Sequence, residues 1–181
     1  MKTPKELKYF MPAEWHTHEC CWMQWPYENP KHDSYGDIPS WSHFDFDKGR
    51  IAWANVANAI VEFEKVKMIV HPDEIKIAKK LLSSKIEIME LTIDDCWSRD
   101  SGAIFLLNNK NKLGGVDWEF NGWGKFKPYS SDNKIAKFMI ENTSATYFKN
   151  NMILEGGSIH VDGEGTLLTT EQCLLNKNRN P

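Results

Sequence analysis

GAIFLL (Gly102–Leu107) and GGVDWEF (Gly114–Phe120) are apolar, strand-forming runs joined by the turn-like NNKNK (Asn108–Lys112), so together they predict a hairpin. The segment after the hairpin decides the fold class. Ser131-Asp132 ahead of Ile135, Phe138 and Met139 predicts a capped helix, and ATYFK (145–149), MILE (152–155), SIHV (158–161) and TLLTT (166–170) predict short strands. Strand, strand, helix, strand is the order of a mixed α/β unit.

Working back towards the N-terminus, the same alternation recurs. ECCWMQW (Glu19–Trp25) predicts a buried strand stopped by Pro26, with Cys20 and Cys21 in its middle and in the core. A long aperiodic polar stretch through Trp41 predicts a loop. Ala52, Val56, Ala59, Ile60 and Phe63 recur at steps of three and four and predict an amphipathic helix ending near Glu64. VKMIV (66–70) predicts a strand. His71-Pro72-Asp73-Glu74 places proline and two acids in a helix's first turn, with His71 a turn residue and Ile75, Ala78 and Leu82 on one face, before the strand IEIMEL (86–91). The expected organisation is one domain over residues 1–181 with no internal boundary.

Composition narrows the function classes. The 181 residues carry 25 acidic and 22 basic side chains, a net charge of -3, well mixed along the chain. Such a balance lacks the basic footprint that nucleic acid requires. No stretch approaches the length of a membrane span and the start lacks an apolar signal core, so no membrane partner and a cytoplasmic location are expected. Cys20, Cys21, Cys96 and Cys173 have neither C-x-x-C spacing nor the density of a secreted scaffold; they read as reduced thiols and suggest no zinc site. A homo-oligomer is left open. Tryptophans at positions 15, 22, 25, 41, 97, 118 and 123 lie in or beside turn-rich segments, as in an aromatic-walled site or as ordinary core residues.

Two carboxylates stand out, Asp100 in DDCWSRDSG and Glu155 in ILEGGSIHVDG, each at a predicted strand end and beside glycine. They fit a planar cation, because a guanidinium keeps its proton and offers five donors in a fork that carboxylates can grip. Trp97 would add a cation–π face. The alternatives are that Asp100 pairs with Arg99 or caps a turn and that Glu155 is a solvated strand end. His16 and His18 would share one side of a strand and could ligate a metal, but no third ligand has matching spacing. Cys173 shows no neighbouring base or helix N-terminus to activate it and reads as structural. The closing Asn180-Pro181 has the form of a helix start.

MPAEWHTH, WMQWP, DDCWSRDSG, DWEFNGWGKFKPYSSDNKIA and LEGGSIHVDGEGTLLTTEQCLLNKNRNP, in this order, resemble the agmatine deiminase and bacterial-type peptidyl-arginine deiminase family of guanidine-modifying enzymes. The resemblance implies a pentein fold, a five-bladed α/β propeller of repeated ββαβ units, about half of it present here. It implies hydrolysis of a small cationic guanidinium substrate, agmatine to N-carbamoylputrescine and ammonia, on the route to putrescine and the polyamines, with no metal or organic cofactor. Peptidyl-arginine or free arginine is the rival substrate, and a noncatalytic aromatic-rich binding module the rival class. By the same resemblance Asp100 binds guanidinium nitrogens, Glu155 binds substrate and assists proton transfer, the glycines let substrate approach, and Trp97 lines the pocket. The family's nucleophilic cysteine and catalytic histidine–aspartate pair fall beyond Pro181, which leaves this chain inactive alone and assigns His160 and Asp162 to structure. Ala103 stands where the family's motif has proline.

Overall fold

A computed structural model describes residues 2–29 and 45–180. They form two compact units, Thr17–Ser98 and the split pair Met1–His16 with Arg99–Pro181. Most of the long loop expected through Trp41 lies outside the described residues.

The Thr17–Ser98 unit is built on a parallel sheet. Strands β2 (Cys20–Gln24), β3 (Lys65–Val70) and β4 (Glu87–Glu90) lie side by side in that order, with Cys20 opposite Lys65 and Lys67 opposite Glu87. Parallel neighbours need crossovers. Helix α1 (Phe46–Ile60) makes the first, capped by the Asp45 side chain accepting from the Lys48 amide at 3.0 Å, and α2 (Ile75–Leu81) the second, after a 3-10 turn at Pro72–Glu74. As expected, His71 belongs to that turn: its Nδ1 accepts from the Asp73 amide.

The helical spacing points to the wrong face of α1. Ala52, Val56, Ala59 and Phe63 are exposed, while Gly49, Arg50, Ala54 and Ala57 are buried, and α1 ends at Ile60. Small residues let the helix approach Trp25, Met68 and Val70 closely, and Arg50 is drawn inward by Glu74. Cys20 and Cys21 open β2 and are half-buried, not mid-strand core.

The split unit holds a four-stranded sheet in the order β1 (Tyr9–Phe10), β5 (Ile104–Asn108), β6 (Leu113–Glu119), β7 (Thr146–Ile153). β5 and β6 form the predicted hairpin, its turn held by Asn108 Oδ1 accepting from the amides of Lys110 and Lys112, both at 2.9 Å. The short helix α3 (Ser98–Ser101) leads into this unit, and a tight left-handed turn, labelled α4 (Gly122–Lys125), follows β6. Helix α5 (Ile135–Glu141), whose buried Ile135, Ala136, Met139 and Ile140 pack down, carries the chain to β7, parallel to β6. The predicted strands ATYFK and MILE are one strand, with a register shift opposite Asp117–Glu119. The β8–β9 hairpin (Ile159–Val161, Leu167–Thr169) and α6 (Glu171–Leu174) close the unit.

At the register shift Lys149 Nζ sits 2.7 Å from Glu119 and 3.4 Å from Asp117. The hydrogen bond from Lys149 holds the Glu119 carboxyl below its usual range against the opposing effect of burial. A carboxyl pKa depressed on folding contributes stability above the unfolded pKa that is lost as pH falls through the folded one. Lys149→Met should therefore flatten the acid limb of the stability profile, seen as a smaller drop in urea midpoint between neutral pH and pH ~3.5. An unchanged drop would contradict the pairing.

Candidate functional site

The two carboxylates singled out by their sequence context converge on one turn. Glu155 opens the 3-10 turn Gly156–Ser158, whose Ser158 amide and hydroxyl return to the Glu155 carbonyl at 2.9 and 2.6 Å. Asp100, on α3, reaches the same turn: its Oδ1 accepts from the Gly157 amide at 3.0 Å. Its Oδ2 accepts from Trp123 Nε1 at 3.1 Å. The glycines are needed here for packing. An added Cβ at Gly156 would collide with the Arg99 carbonyl and one at Gly157 with the Asp100 carboxylate, so α3 can lie against the turn only if both positions lack a side chain.

Of the plainer alternatives for these acids, the Asp100–Arg99 pair and the solvated Glu155 are not seen, while Asp100 does cap a turn. Arg99 forks onto Glu14, with 3.0 and 2.8 Å bonds to its two oxygens, and leaves Asp100 to the turn. Glu155 is 4% exposed, far from a solvated strand end. A carboxylate so buried demands a cation. Arg179 supplies it, Nε donating to Oε1 at 2.6 Å. The Glu155 side chain therefore already holds a guanidinium, the group inferred for the substrate.

Arg179 is held by its neighbours. Its NH1 donates to Asn178 Oδ1, the Asn178 carbonyl accepts from Asn121 Nδ2 at 2.8 Å, and Asn121 Oδ1 caps the amide of Gly124. Asn180 binds back through its side chain to the Ile153 amide and carbonyl and to the Leu174 carbonyl. Asn180 thus clamps the end of β7, where its place before proline suggested a helix cap.

The α4 turn facing this segment is strained. Gly122, Trp123, Gly124 and Lys125 all adopt positive φ, at 62°, 56°, 91° and 65°. Such a conformation costs a bulky residue about 1–3 kcal/mol and clusters at functional sites. It aims the Trp123 indole at Asp100, braced edge-on by Phe120 at 5.0 Å. Trp123 is the aromatic partner that sequence reasoning missed; the signal was its flanking glycines in NGWGK. Trp97, which the family motif places at the pocket, is edge-on to Trp53 at 6.0 Å within the Thr17–Ser98 unit.

An open groove of about 510 Å³ runs past the turn, lined by Glu14, Arg99, Gly157, Ser158, His160 and Thr170 among others. Neither Asp100 nor Glu155 lines it. His160 is exposed on β8, and Asp162 accepts from the amides of Glu164 and Thr166, its carboxyl held below the ordinary range first by Thr166. Asp162 is therefore a turn-former, as expected. Cys173 lies in the first turn of α6, its amide capped by Thr170 Oγ1, a helix start that the local sequence did not disclose.

Comparison with known proteins bears on this arrangement. The family model for Porphyromonas-type peptidyl-arginine deiminase matches residues 10–181. An agmatine deiminase of Pseudomonas aeruginosa is 42% identical over 186 residues, covering 99% of this chain and 48% of that protein. The solved agmatine deiminase of Enterococcus faecalis superposes with a TM-score of 0.85 at 35% identity, over 100% of this chain and 48% of that one. A substrate-bound agmatine deiminase of C. jejuni superposes at 0.78 with 28% identity, over 95% and 48%. The chain spans about half the length of these relatives and carries about half of the pentein fold they share.

Proposed function

Because this chain belongs to the Porphyromonas-type peptidyl-arginine deiminase family, whose model matches residues 10–181, we propose that it supplies the substrate-gripping part of an agmatine deiminase. The reaction is hydrolysis of the agmatine guanidinium to N-carbamoylputrescine and ammonia, which feeds putrescine formation in the cytoplasm. The observation that carries this reading is the buried Glu155 carboxylate, bonded to a guanidinium, at the head of a turn whose Gly157 amide holds a second carboxylate, Asp100.

Each residue has a role that its chemistry can fill. Asp100 is oriented by the Gly157 amide and Trp123, so its carboxyl group is held in place for guanidinium nitrogens. Glu155 binds the cation and handles protons as ammonia departs. The thiolate that attacks the guanidinium carbon, and the histidine–aspartate pair beside it, belong in this reading to the half of the relatives that this chain does not span. The 181-residue chain alone is accordingly inactive.

Product analysis tests the substrate. The full-length protein required by this reading should convert agmatine to its ureido product with a higher kcat/KM than free arginine or an arginyl peptide, while the 181-residue chain releases no ammonia. Faster citrulline formation would replace agmatine by arginine as substrate, and turnover by the short chain would refute the need for an external nucleophile. Absence of all three activities, with retained agmatine binding, would point to a noncatalytic module.

A further inference from the structure

In the Thr17–Ser98 unit three metal-ligating side chains meet that the deiminase chemistry does not use. His18 precedes β2, Cys21 lies near the start of β2, and Glu64 sits on the turn between α1 and β3, its amide bonded to the Ile60 carbonyl at 3.0 Å. The parallel register, Cys20 opposite Lys65 and Cys21 opposite Val66, brings the starts of β2 and β3 together. Cys21 Sγ donates to Glu64 Oε1 at 3.2 Å, and His18 Nδ1 stands 3.5 Å from Glu64 Oε2. All of the donor atoms lie within 4.8 Å of one another.

We propose that His18, Cys21 and Glu64 form a binding site for a borderline-soft divalent cation, Zn(II) foremost. In tetrahedral zinc sites sulfur lies about 2.3 Å and nitrogen or oxygen about 2.0–2.1 Å from the metal, which separates neighbouring ligands by roughly 3.3–3.6 Å. The Sγ–Oε1 and Nδ1–Oε2 spacings, one to each oxygen of the Glu64 carboxylate, are of that order. The third edge, from His18 to Cys21, lies within 4.8 Å. One imidazole, one thiolate and one carboxylate select zinc-like ions over Mg(II) and Ca(II), which take oxygen donors.

A second feature points the same way. Glu64 Oε2 is a buried oxygen that accepts no hydrogen bond. A carboxylate oxygen withdrawn from water without a donor is costly, and a cation between His18, Cys21 and Glu64 would satisfy it. On binding, the Cys21 thiol gives its proton to solvent and the S–H···O contact becomes S–metal–O. Affinity should therefore rise with pH until the thiol and imidazole are both deprotonated. The fourth position falls to water, since His18 keeps the site open to solvent. Cys20, next in sequence, is not among the three donors that meet.

The pattern was half visible in the sequence. Spacing pairs His18 with His16, two residues away, and finds no third ligand; the fold gives it Cys21 and a carboxylate from the far end of α1 instead.

Zn(II) and Co(II) titrations of the reduced 181-residue protein test the site. The protein should bind one equivalent of Zn(II), with a thermal midpoint that rises with free metal. Its Co(II) form should show a thiolate-to-cobalt charge-transfer band in the near ultraviolet that survives Cys20→Ser and disappears in Cys21→Ser. His18→Ala, an exposed change that leaves the fold alone, and Glu64→Gln should each weaken binding by roughly tenfold or more. Absence of stoichiometric binding, a cobalt band that persists in Cys21→Ser, or an affinity unmoved by His18→Ala would each overturn the proposal. None of these readouts depends on deiminase activity.

Discussion

Glu74→Ala should lower the stability of the Thr17–Ser98 unit by about 3–5 kcal/mol, the cost of stranding a buried guanidinium. Glu74 is the hub of that unit's interior. Its Oε1 accepts from Arg50 NH2 at 2.7 Å, and its Oε2 accepts from Arg50 Nε at 2.8 Å and from the indole Nε1 of the fully buried Trp25 at 3.1 Å. Removing the carboxylate leaves three buried donors without an acceptor.

Two companions separate this effect from a general sensitivity of α1. Asp47 also pairs with Arg50, at 3.0 Å, but its side chain is 88% exposed, so Asp47→Ala should cost under about 0.5 kcal/mol. The double variant Arg50→Met/Glu74→Leu removes both charges and should recover most of the loss, leaving mainly the unsatisfied Trp25 Nε1–H at about 1–3 kcal/mol. Urea unfolding followed by tryptophan fluorescence and far-ultraviolet circular dichroism reads all three. A Glu74→Ala loss below about 1 kcal/mol would mean that the pair is not the anchor its geometry indicates.

How much of this is legible in the sequence depends on what each signal reports. The β5–β6 hairpin and α5 were legible because alternation, turn residues and helical spacing are local properties. The buried face of α1 was not. Two adjacent stripes of that helix are apolar, and the choice between them depends on Arg50 finding Glu74 across a crossover, a pairing that no helical wheel contains. Asp100 and Glu155 were legible as site candidates by their glycine context and the family motifs. Their shared turn was not, because it rests on a hydrogen bond between residues 57 positions apart. Gly156 and Gly157 are legible as positions of close approach, but that Gly156 meets the Arg99 carbonyl and Gly157 the Asp100 carboxylate is not. The Trp123 bond to Asp100 is not legible locally, although two glycines around a tryptophan are a cue to its positive φ. Arg179 drew no notice at all, since a lone arginine near a terminus looks like any solvated charge.

Arg179 decides how the Glu155 experiment should turn out. In the full-length enzyme, Glu155→Gln should lower kcat/KM for agmatine by roughly 10²–10⁴-fold, the range for loss of a positioned proton-transfer group. The fold should survive, because the amide oxygen of glutamine can still accept from Arg179 Nε. Glu155→Ala should differ in kind: it strands the largely covered Arg179 guanidinium and adds a stability loss of up to about 3 kcal/mol. Arg179→Ala reverses the imbalance, leaving an anion that is 4% exposed without its cation, and should destabilise the protein comparably. The Glu155→Ala/Arg179→Ala double variant should then be less unstable than the sum of the singles, with a coupling of about 1–3 kcal/mol. If Arg179 were merely a competitor for the substrate's place, its removal would instead improve agmatine binding at little cost in stability. Glu155→Gln with undiminished turnover would sink the catalytic assignment, and additive stabilities would sink the pair.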